Sequence, residues 1–200
     1  MKRIDRSEVL GLAEYEQIRE RFRARVTGEK KSRRVQLGPV VSVLFENRDT
    51  VLLQVQEMLR TERITRPAAI QHEIDTYNEL VPGENELSCT LMIEIPDKTE
   101  RDAFLVAARG LEKHVWVATG TLRVGATAAA RDGTEPADRT TAVHYLKFKL
   151  PPPLVNALRG GASGEQTLTH VELIVDHPTY AAEVTLPAET LMAIGQDLEG

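Results

Sequence analysis

Cysteine is nearly absent from this chain: Cys89 is the single one in 200 residues. One thiol excludes an intramolecular disulfide, a CxxC pair and a cysteine-ligated iron–sulfur cluster held by this chain alone. Cys89 lies in the segment 87–95, where apolar and polar residues alternate, and it falls on the apolar side. We therefore predict a buried, unreactive thiol.

Aromatic residues, positive charge and long apolar runs are also scarce. The aromatic share is 4 % and the formal net charge is -5, which argues against stacking platforms for single strands and against nucleic acid as the main partner. No stretch approaches the ~20 apolar residues that a membrane span needs. The N-terminal residues MKRIDRSEVLGLAEYEQ lack the apolar core of a signal peptide. We expect a cytoplasmic protein without a membrane or nucleic-acid partner.

The apolar residues, 42 % of the chain, are enough for a sizeable core, and their spacing changes along the sequence. Helical spacing dominates residues 1–85, and alternation dominates residues 86–186. This order predicts a single α+β domain over residues 1–200, with a mainly antiparallel sheet packed against N-terminal helices. The predicted helices are 7–28, 49–63, 67–80, 97–108, 154–158 and one after 187; the strands are 35–46, 87–95, 114–119, 121–128, 140–150 and 167–177; polar loops occupy 130–139 and 160–166.

Four basic residues follow the first predicted helix, which we expect to end near Gly28. They are Lys30, Lys31, Arg33 and Arg34, within GEKKSRR. One interpretation is a solvated basic loop that partly offsets the dipole at the helix C-terminus. The other is a docking patch for an acidic partner or an anionic ligand.

The helix predicted at residues 49–63 follows the strand that ends at Glu46. Charged residues lie in line with the apolar stripe of this helix. At ~100° per residue, Arg48 and Glu62 extend that stripe at its two ends, and Arg63 flanks it. Either the helix frays and these charges reach water, or they line a polar pocket with Glu46 at the sheet edge. In the second case Arg48 and Arg63 would grip an anion through forked hydrogen bonds. The stripe itself consists of Val51, Leu52, Val55, Met58 and Leu59.

Two histidines fall on the apolar faces of predicted strands, namely His144 in 140–150 and His177 at the end of 167–177. Together with a carboxylate from Glu94, Glu46 or Glu62 they would form a two-His-one-carboxylate site for a divalent transition metal. The alternative is a hydrogen-bonded core histidine and a turn histidine. The ligands are scattered, and the chain has no HxH or HExxH spacing.

Several sequence blocks resemble one bacterial family in order and spacing. They are LGPVVSVLFENRDTVLLQVQEMLRTE (37–62), LMIEIPD (91–97), HVWV (114–117), TAVHYLKF (141–148) and DHPTY (176–180). Together they resemble the domain of unknown function 3501, and the match extends over residues 15–184. The resemblance carries no activity or catalytic residue. It implies a genomic context beside rubrerythrin-like diiron proteins and iron–sulfur oxidoreductases related to heterodisulfide reductase subunits.

Three functional hypotheses remain open, and the sequence does not decide whether the protein is an enzyme. The favoured one is an accessory protein that binds or helps assemble an iron–sulfur or rubrerythrin-type redox partner in peroxide or redox metabolism. The second is a metal-dependent enzyme or metal-binding protein that uses the two histidines and a carboxylate. The third is a sensor of a small anion.

Overall fold

The structure is a computed structural model that describes residues 1–129, 138–163 and 170–199. Of the two predicted polar loops, residues 130–137 and 164–166 lie outside the described part of the chain, as do residues 167–169 of the strand predicted at 167–177. Residues 160–163 are helical instead. In the described ranges, no helix combines the length and the apolar character that crossing a bilayer requires.

Helices and strands are interspersed along the chain, and two strands already lie within residues 1–85, where the sequence predicted mainly helices. The α-helices are α1 (Leu12–Arg33), α2 (Arg48–Thr61), α3 (Pro67–Asn78), α4 (Lys98–Ala107), α5 (Pro152–Ser163) and α6 (Ala188–Glu199). The strands are β1 (Arg34–Leu37), β2 (Val41–Glu46), β3 (Glu86–Ile93), β4 (Val115–Thr119), β5 (Leu122–Gly125), β6 (Thr127–Ala128), β7 (Val143–Lys149), β8 (Glu172–His177) and β9 (Tyr180–Thr185).

The strands form two antiparallel sheets. The five-stranded sheet has the order β1-β2-β3-β7-β6, and the four-stranded sheet has the order β5-β4-β8-β9. Sequential hairpins join β1 to β2, β4 to β5 and β8 to β9. The predicted α+β class, with a mainly antiparallel sheet against N-terminal helices, is confirmed.

The main core lies between the inner faces of the two sheets. Because successive side chains in a strand point to opposite faces, the residues of the predicted apolar face, Cys89 among them, are buried there. Burial raises the pKa of the Cys89 thiol far above its ordinary value. Helices α4, α5 and α6 add Leu105, Leu154 and Ile194 to the same core.

The outer face of the five-stranded sheet is covered by the first three helices. A second apolar cluster lies there, built from Val51, Val55 and Leu59 of α2 with Ile70 and Ile74 of α3. Tyr145 packs against it from β7, on the side of that strand opposite to Leu146. The sheet therefore has apolar contacts on both faces.

The N-terminal segment 1–10, which we call the N-terminal strap, lies across α2 and α3. The Asn78 side chain accepts from the Ile4 N–H at 2.8 Å and donates to the Ile4 carbonyl at 2.9 Å. Gln56 makes the same pair of bonds with Leu10, at 2.7 and 3.3 Å. The two side-chain amides thus make the hydrogen bonds to the strap backbone that a neighbouring β-strand would otherwise make.

Helix α1 differs from its prediction at both ends. It begins at Leu12, because Asp5 caps a separate turn at Arg6–Glu8, and it continues through Gly28 to Arg33. A glycine in a helix interior costs only about 1 kcal/mol, and lysine and arginine near a helix C-terminus interact favourably with the dipole. The prediction of a basic loop over GEKKSRR was therefore wrong: residues 28–33 form the last turns of the helix, and Arg34 begins β1.

Polar contacts, more than apolar ones, hold α1 against α2. The apolar residues at helical spacing along α1 are Tyr15, Ile18, Phe22 and Val26; of these Tyr15 and Val26 are buried, whereas Ile18 is 41 % exposed. The Glu57 carboxylate accepts from the Tyr15 hydroxyl at 2.6 Å and from two nitrogens of Arg19 at 2.8 and 2.9 Å. The hydrogen bond from Arg19 holds the pKa of Glu57 below its ordinary value.

Candidate functional site

The turns at the end of α1 and the start of β1 enclose a basic groove, which is the candidate site. Its volume is about 500 Å³ and it is lined by Thr27, Lys30 and Lys31 of α1 with Arg34 and Gln36 of β1. Positions 27, 30 and 31 share one helix face, because residues three and four apart are neighbours on a helix surface. The continuation of α1 beyond Gly28 is what places the lysines beside the strand.

The charge of the groove is positive, with one carboxylate at its border. Arg34 forms an ion pair with Glu94 at 3.1 Å, in which both side chains are about half exposed, at 45 and 48 %. The same guanidinium donates to the Ser42 hydroxyl at 3.2 Å. Within the described residues, no carboxylate lies within 4.0 Å of the Lys30 or Lys31 ammonium group. In a chain of net charge -5, this is a local concentration of cations.

Arg33 does not belong to this groove, although the sequence grouped it with the other three cations. Its guanidinium is 6 % exposed and forms a forked pair with Asp197 of α6, at 2.5 and 2.9 Å. Arg33 lies two residues beyond Lys31, which turns its side chain by ~200° relative to that lysine, and it therefore faces α6. It fixes the helix, and the candidate docking patch reduces to Lys30, Lys31 and Arg34.

Glu46 is buried, with 2 % exposure, in a polar pocket between the sheet and α2. Its carboxylate accepts from the Thr90 hydroxyl at 2.6 Å, the Gln54 amide at 3.0 Å and the Thr50 hydroxyl at 2.5 Å. The Ser88 hydroxyl, which lies opposite Glu46 in the β2–β3 register, is buried and lacks a hydrogen-bond partner within the described residues. Three neutral groups of the protein therefore surround the Glu46 carboxylate, and none of them is a residue that the sequence placed beside it.

The other charged residues of α2 do not join Glu46. Arg48 donates to Glu8 and, at 3.0 Å, to the Lys2 carbonyl, so it is bound to the N-terminal strap. Glu62 and Arg63 are exposed at the opposite end of the helix, about 20 Å away along its axis. An anion held jointly by Arg48 and Arg63 is therefore not supported by their placement.

The helix ends in a motif that accounts for Arg63. This residue has a φ of 52°, its N–H donates to the Arg60 carbonyl at 3.3 Å, and the Ile64 N–H donates to the Leu59 carbonyl at 2.9 Å. These two bonds define a Schellman motif, in which the left-handed position usually holds glycine. Arg63 therefore terminates the helix in an ordered cap, whereas the sequence had left a frayed end and a polar pocket as the alternatives.

Both histidines face the core as predicted, at 3 % exposure for His144 and 7 % for His177. The His177 ring donates from Nε2 to the Arg109 carbonyl at 3.1 Å, and its Nδ1 accepts from the Thr179 N–H at 3.2 Å. Nε2 of His144 lies 2.8 Å from the Thr140 hydroxyl. With both ring nitrogens engaged, His177 offers no free lone pair to a metal.

The metal-ligand set predicted from these histidines is not assembled in the structure. Glu94 is engaged with Arg34, and Glu46 is enclosed by neutral donors. Among residues 1–129, 138–163 and 170–199, no three His, Cys, Asp or Glu side chains are placed to hold a metal ion. The geometry therefore favours the two structural roles, a hydrogen-bonded core histidine and a turn histidine.

Sequence reasoning missed an ordered polar cluster on the outer face of the four-stranded sheet. Asp176 accepts from Trp116 Nε1 at 2.9 Å and from Arg123 at 2.6 Å, and it lies 3.3 Å from His114 Nδ1. The Arg123 guanidinium stacks 4.4 Å from the centre of the Trp116 ring. The hydrogen bonds from these donors hold the pKa of Asp176 below its ordinary value, and the one from Trp116 has the largest effect. Asp176 precedes the inward-facing His177, so the alternation of a strand directs it outward, but no pattern in the sequence indicates that Trp116 lies beside it.

Comparison with known proteins identifies relatives but no activity. The sequence model of the family "Protein of unknown function (DUF3501)" matches residues 3–198. A crystal structure of a novel protein of unknown function from Burkholderia pseudomallei K96243 is 31 % identical, with 98 % of this chain and 100 % of that chain covered and a TM-score of 0.88. No curated protein matches. The chain belongs to the DUF3501 family of proteins of unknown function.

Proposed function

We propose that this protein is an accessory factor that docks an acidic surface of a redox partner through the basic groove. The partner class is an iron–sulfur oxidoreductase or a rubrerythrin-like diiron protein, as the family resemblance implies. The observation that supports the proposal is the convergence of Lys30, Lys31 and Arg34 on a groove of about 500 Å³. No step of this proposal requires chemistry by the protein itself.

The charges of the groove suit a carboxylate-bearing partner. Arginine holds carboxylates through two parallel hydrogen bonds, and lysine adds a mobile point charge. Arg34 already binds one carboxylate, that of Glu94, in a half-exposed pair that is weak in water. An incoming carboxylate can therefore exchange with Glu94 at low cost, while Lys30 and Lys31 attract further negative charge.

Binding of purified partner candidates tests the proposal. We expect the variant Lys30→Glu/Lys31→Glu/Arg34→Glu to bind a rubrerythrin-like or iron–sulfur partner at least about tenfold more weakly at low salt, with a smaller dependence on ionic strength. The matched control is Arg21→Glu/Arg66→Glu/Lys113→Glu, which changes the net charge equally at exposed positions outside the groove. Circular dichroism checks the fold of both variants. Equal loss of affinity in the two triple variants, or none in either, refutes the proposal.

A small-anion sensor is the second candidate, and the volume of the groove favours it. The open groove has a volume of about 500 Å³, which lies within the range of small-molecule sites. A thermal-shift screen with inorganic phosphate, pyrophosphate and dicarboxylates tests this function. A sensor function requires that one of these anions raises the melting temperature of the native protein. The increase must be lost in Lys30→Glu/Lys31→Glu/Arg34→Glu (the groove variant) and retained in Arg21→Glu/Arg66→Glu/Lys113→Glu (the control variant).

A further inference from the structure

We propose that the docking element of the partner is an extended acidic segment, which adds as a further strand to the edge of β1. This inference rests on the proposed function and specifies the conformation of the bound segment. β1 is the terminal strand of the five-stranded sheet, and in the described part of the chain β2 is its one paired neighbour. An edge strand presents backbone N–H and C=O groups that a peptide can pair with.

The two faces of β1 define what such a segment must carry. Val35 and Leu37 are buried in the main core, whereas Arg34 and Gln36 are exposed and line the groove. An added strand alternates in the same way, so every second side chain of the segment faces the lysines of α1. Acidic residues at alternate positions, with apolar residues between them, match this arrangement.

A residue of β9, in the other sheet, fixes the position of β1. The strand is therefore a rigid template for an added segment. The Tyr180 hydroxyl of β9 donates to the Leu37 carbonyl at 2.5 Å. Gly38, at the start of the β1–β2 turn, has a φ of 75°, and a Cβ there would lie 2.4 Å from the Tyr180 hydroxyl oxygen. A peptide that pairs with β1 does not have to order the strand first, which lowers the entropic cost of binding.

Charge complementarity selects a foreign acidic segment over a second copy of this chain. Two copies that paired through β1 would bring Lys30, Lys31 and Arg34 of each copy together, whereas the ion pairs of these cations in the described residues involve one carboxylate, that of Glu94. Like charges across paired strands are destabilising, and cations on an edge strand are a known protection against self-association. The same residues attract an acidic strand. The four residues of β1 span about 13 Å, which suits a segment of four to six residues.

Peptide binding with a backbone-modified control tests the inference. The probe is the fluorescently labelled hexapeptide Glu-Val-Glu-Val-Glu-Val, and the control is the same peptide with N-methyl groups on alternate residues, which keeps the charge but blocks strand pairing. We expect anisotropy titrations to show about tenfold weaker binding for the N-methylated peptide and for the groove variant. Hydrogen exchange at residues 34–37 should slow when the unmodified peptide binds.

The outcomes separate this inference from the proposed function. Equal binding of the two peptides, lost in the groove variant and without slower exchange at residues 34–37, overturns strand addition and leaves acidic docking intact. Binding of pyrophosphate but of neither peptide overturns the inference in favour of a small-anion site. If the peptide binds the groove variant as well as the native protein, both the inference and the proposed docking site are refuted.

Discussion

Replacing Glu57 by glutamine should loosen α1, because this carboxylate accepts three hydrogen bonds that join α2 to α1. It accepts three hydrogen bonds, one from Tyr15 and two from Arg19, and its side chain is 28 % exposed against 16 % for Arg19. Glutamine keeps the shape and one acceptor oxygen. However, it turns an NH₂ group toward the guanidinium, so one charge-assisted bond is lost and two donors face each other.

The expected loss follows from the value of such bonds. A hydrogen bond to a charged group contributes about 1.5–3 kcal/mol when buried, and partial exposure reduces this. We expect Glu57→Gln to lower the free energy of unfolding by about 1.5 kcal/mol. For a chain of this size the melting temperature should fall by roughly 3–6 °C. The control Glu20→Gln, at a side chain that is 91 % exposed and 3.7 Å from Arg19, should change stability by less than about 0.5 kcal/mol.

The pH dependence gives this prediction a second test. The pKa of Glu57 is lower in the folded chain than its ordinary value of 4.5. The contribution of ionised Glu57 to the free energy of unfolding is therefore complete above pH 4.5. This contribution is lost as the pH falls through the lower pKa of the folded protein. Urea titrations at pH 7 and at successively lower pH should show the difference between native protein and variant shrinking below pH 4.5. A difference that stays constant with pH, or that the control reproduces, refutes the reasoning.

Three further predictions concern single positions. Arg63→Gly should stabilise the protein by about 0.5–1 kcal/mol, since glycine adopts the left-handed backbone freely; a urea midpoint that falls would contradict this. Glu46→Ala should cost about 3 kcal/mol, because it removes the acceptor of the Thr90 hydroxyl and the Gln54 amide and one of the two acceptors of the Thr50 hydroxyl, and Glu46→Gln should cost less in the same denaturation assay. Cys89, whose pKa is raised by burial, should react with a disulfide reagent at pH 8 only in denaturant; rapid labelling of the native protein would contradict its burial.

The sequence was most informative where the spacing of side chains decides the structure. In β3, β7 and β8 a period of two residues assigns every side chain to one face, so the burial of Cys89, His144 and His177 was predicted correctly. The end of α1 was not, because a glycine penalty of about 1 kcal/mol is smaller than the tertiary contacts that extend the helix. One of those contacts is the pair between Arg33 and Asp197, which are 164 positions apart in the chain.

The candidate site was predicted in part, and the missing information is geometric. The cluster of cations at residues 30–34 is visible in the sequence, but a loop would leave its members equivalent, whereas a helix sends Arg33 and Lys31, which are two positions apart, to different sides. For α2, the sequence left frayed ends and a polar pocket as alternatives. The exposure of Glu62 and Arg63 matches the first for one end of the helix. At the other end, Arg48 is engaged by the N-terminal strap, whose path across α2 follows no local pattern.

The N-terminal strap has a consequence for the kinetics of folding. Its amide partner Asn78 lies 74 positions further along the chain, so this contact closes a long loop and forms after the local turns of α2 and α3. Interactions absent from the folding transition state govern mainly the rate of unfolding. Asn78→Ala should therefore raise the unfolding rate and leave the refolding rate nearly unchanged. In this way the strap controls the lifetime of the native state.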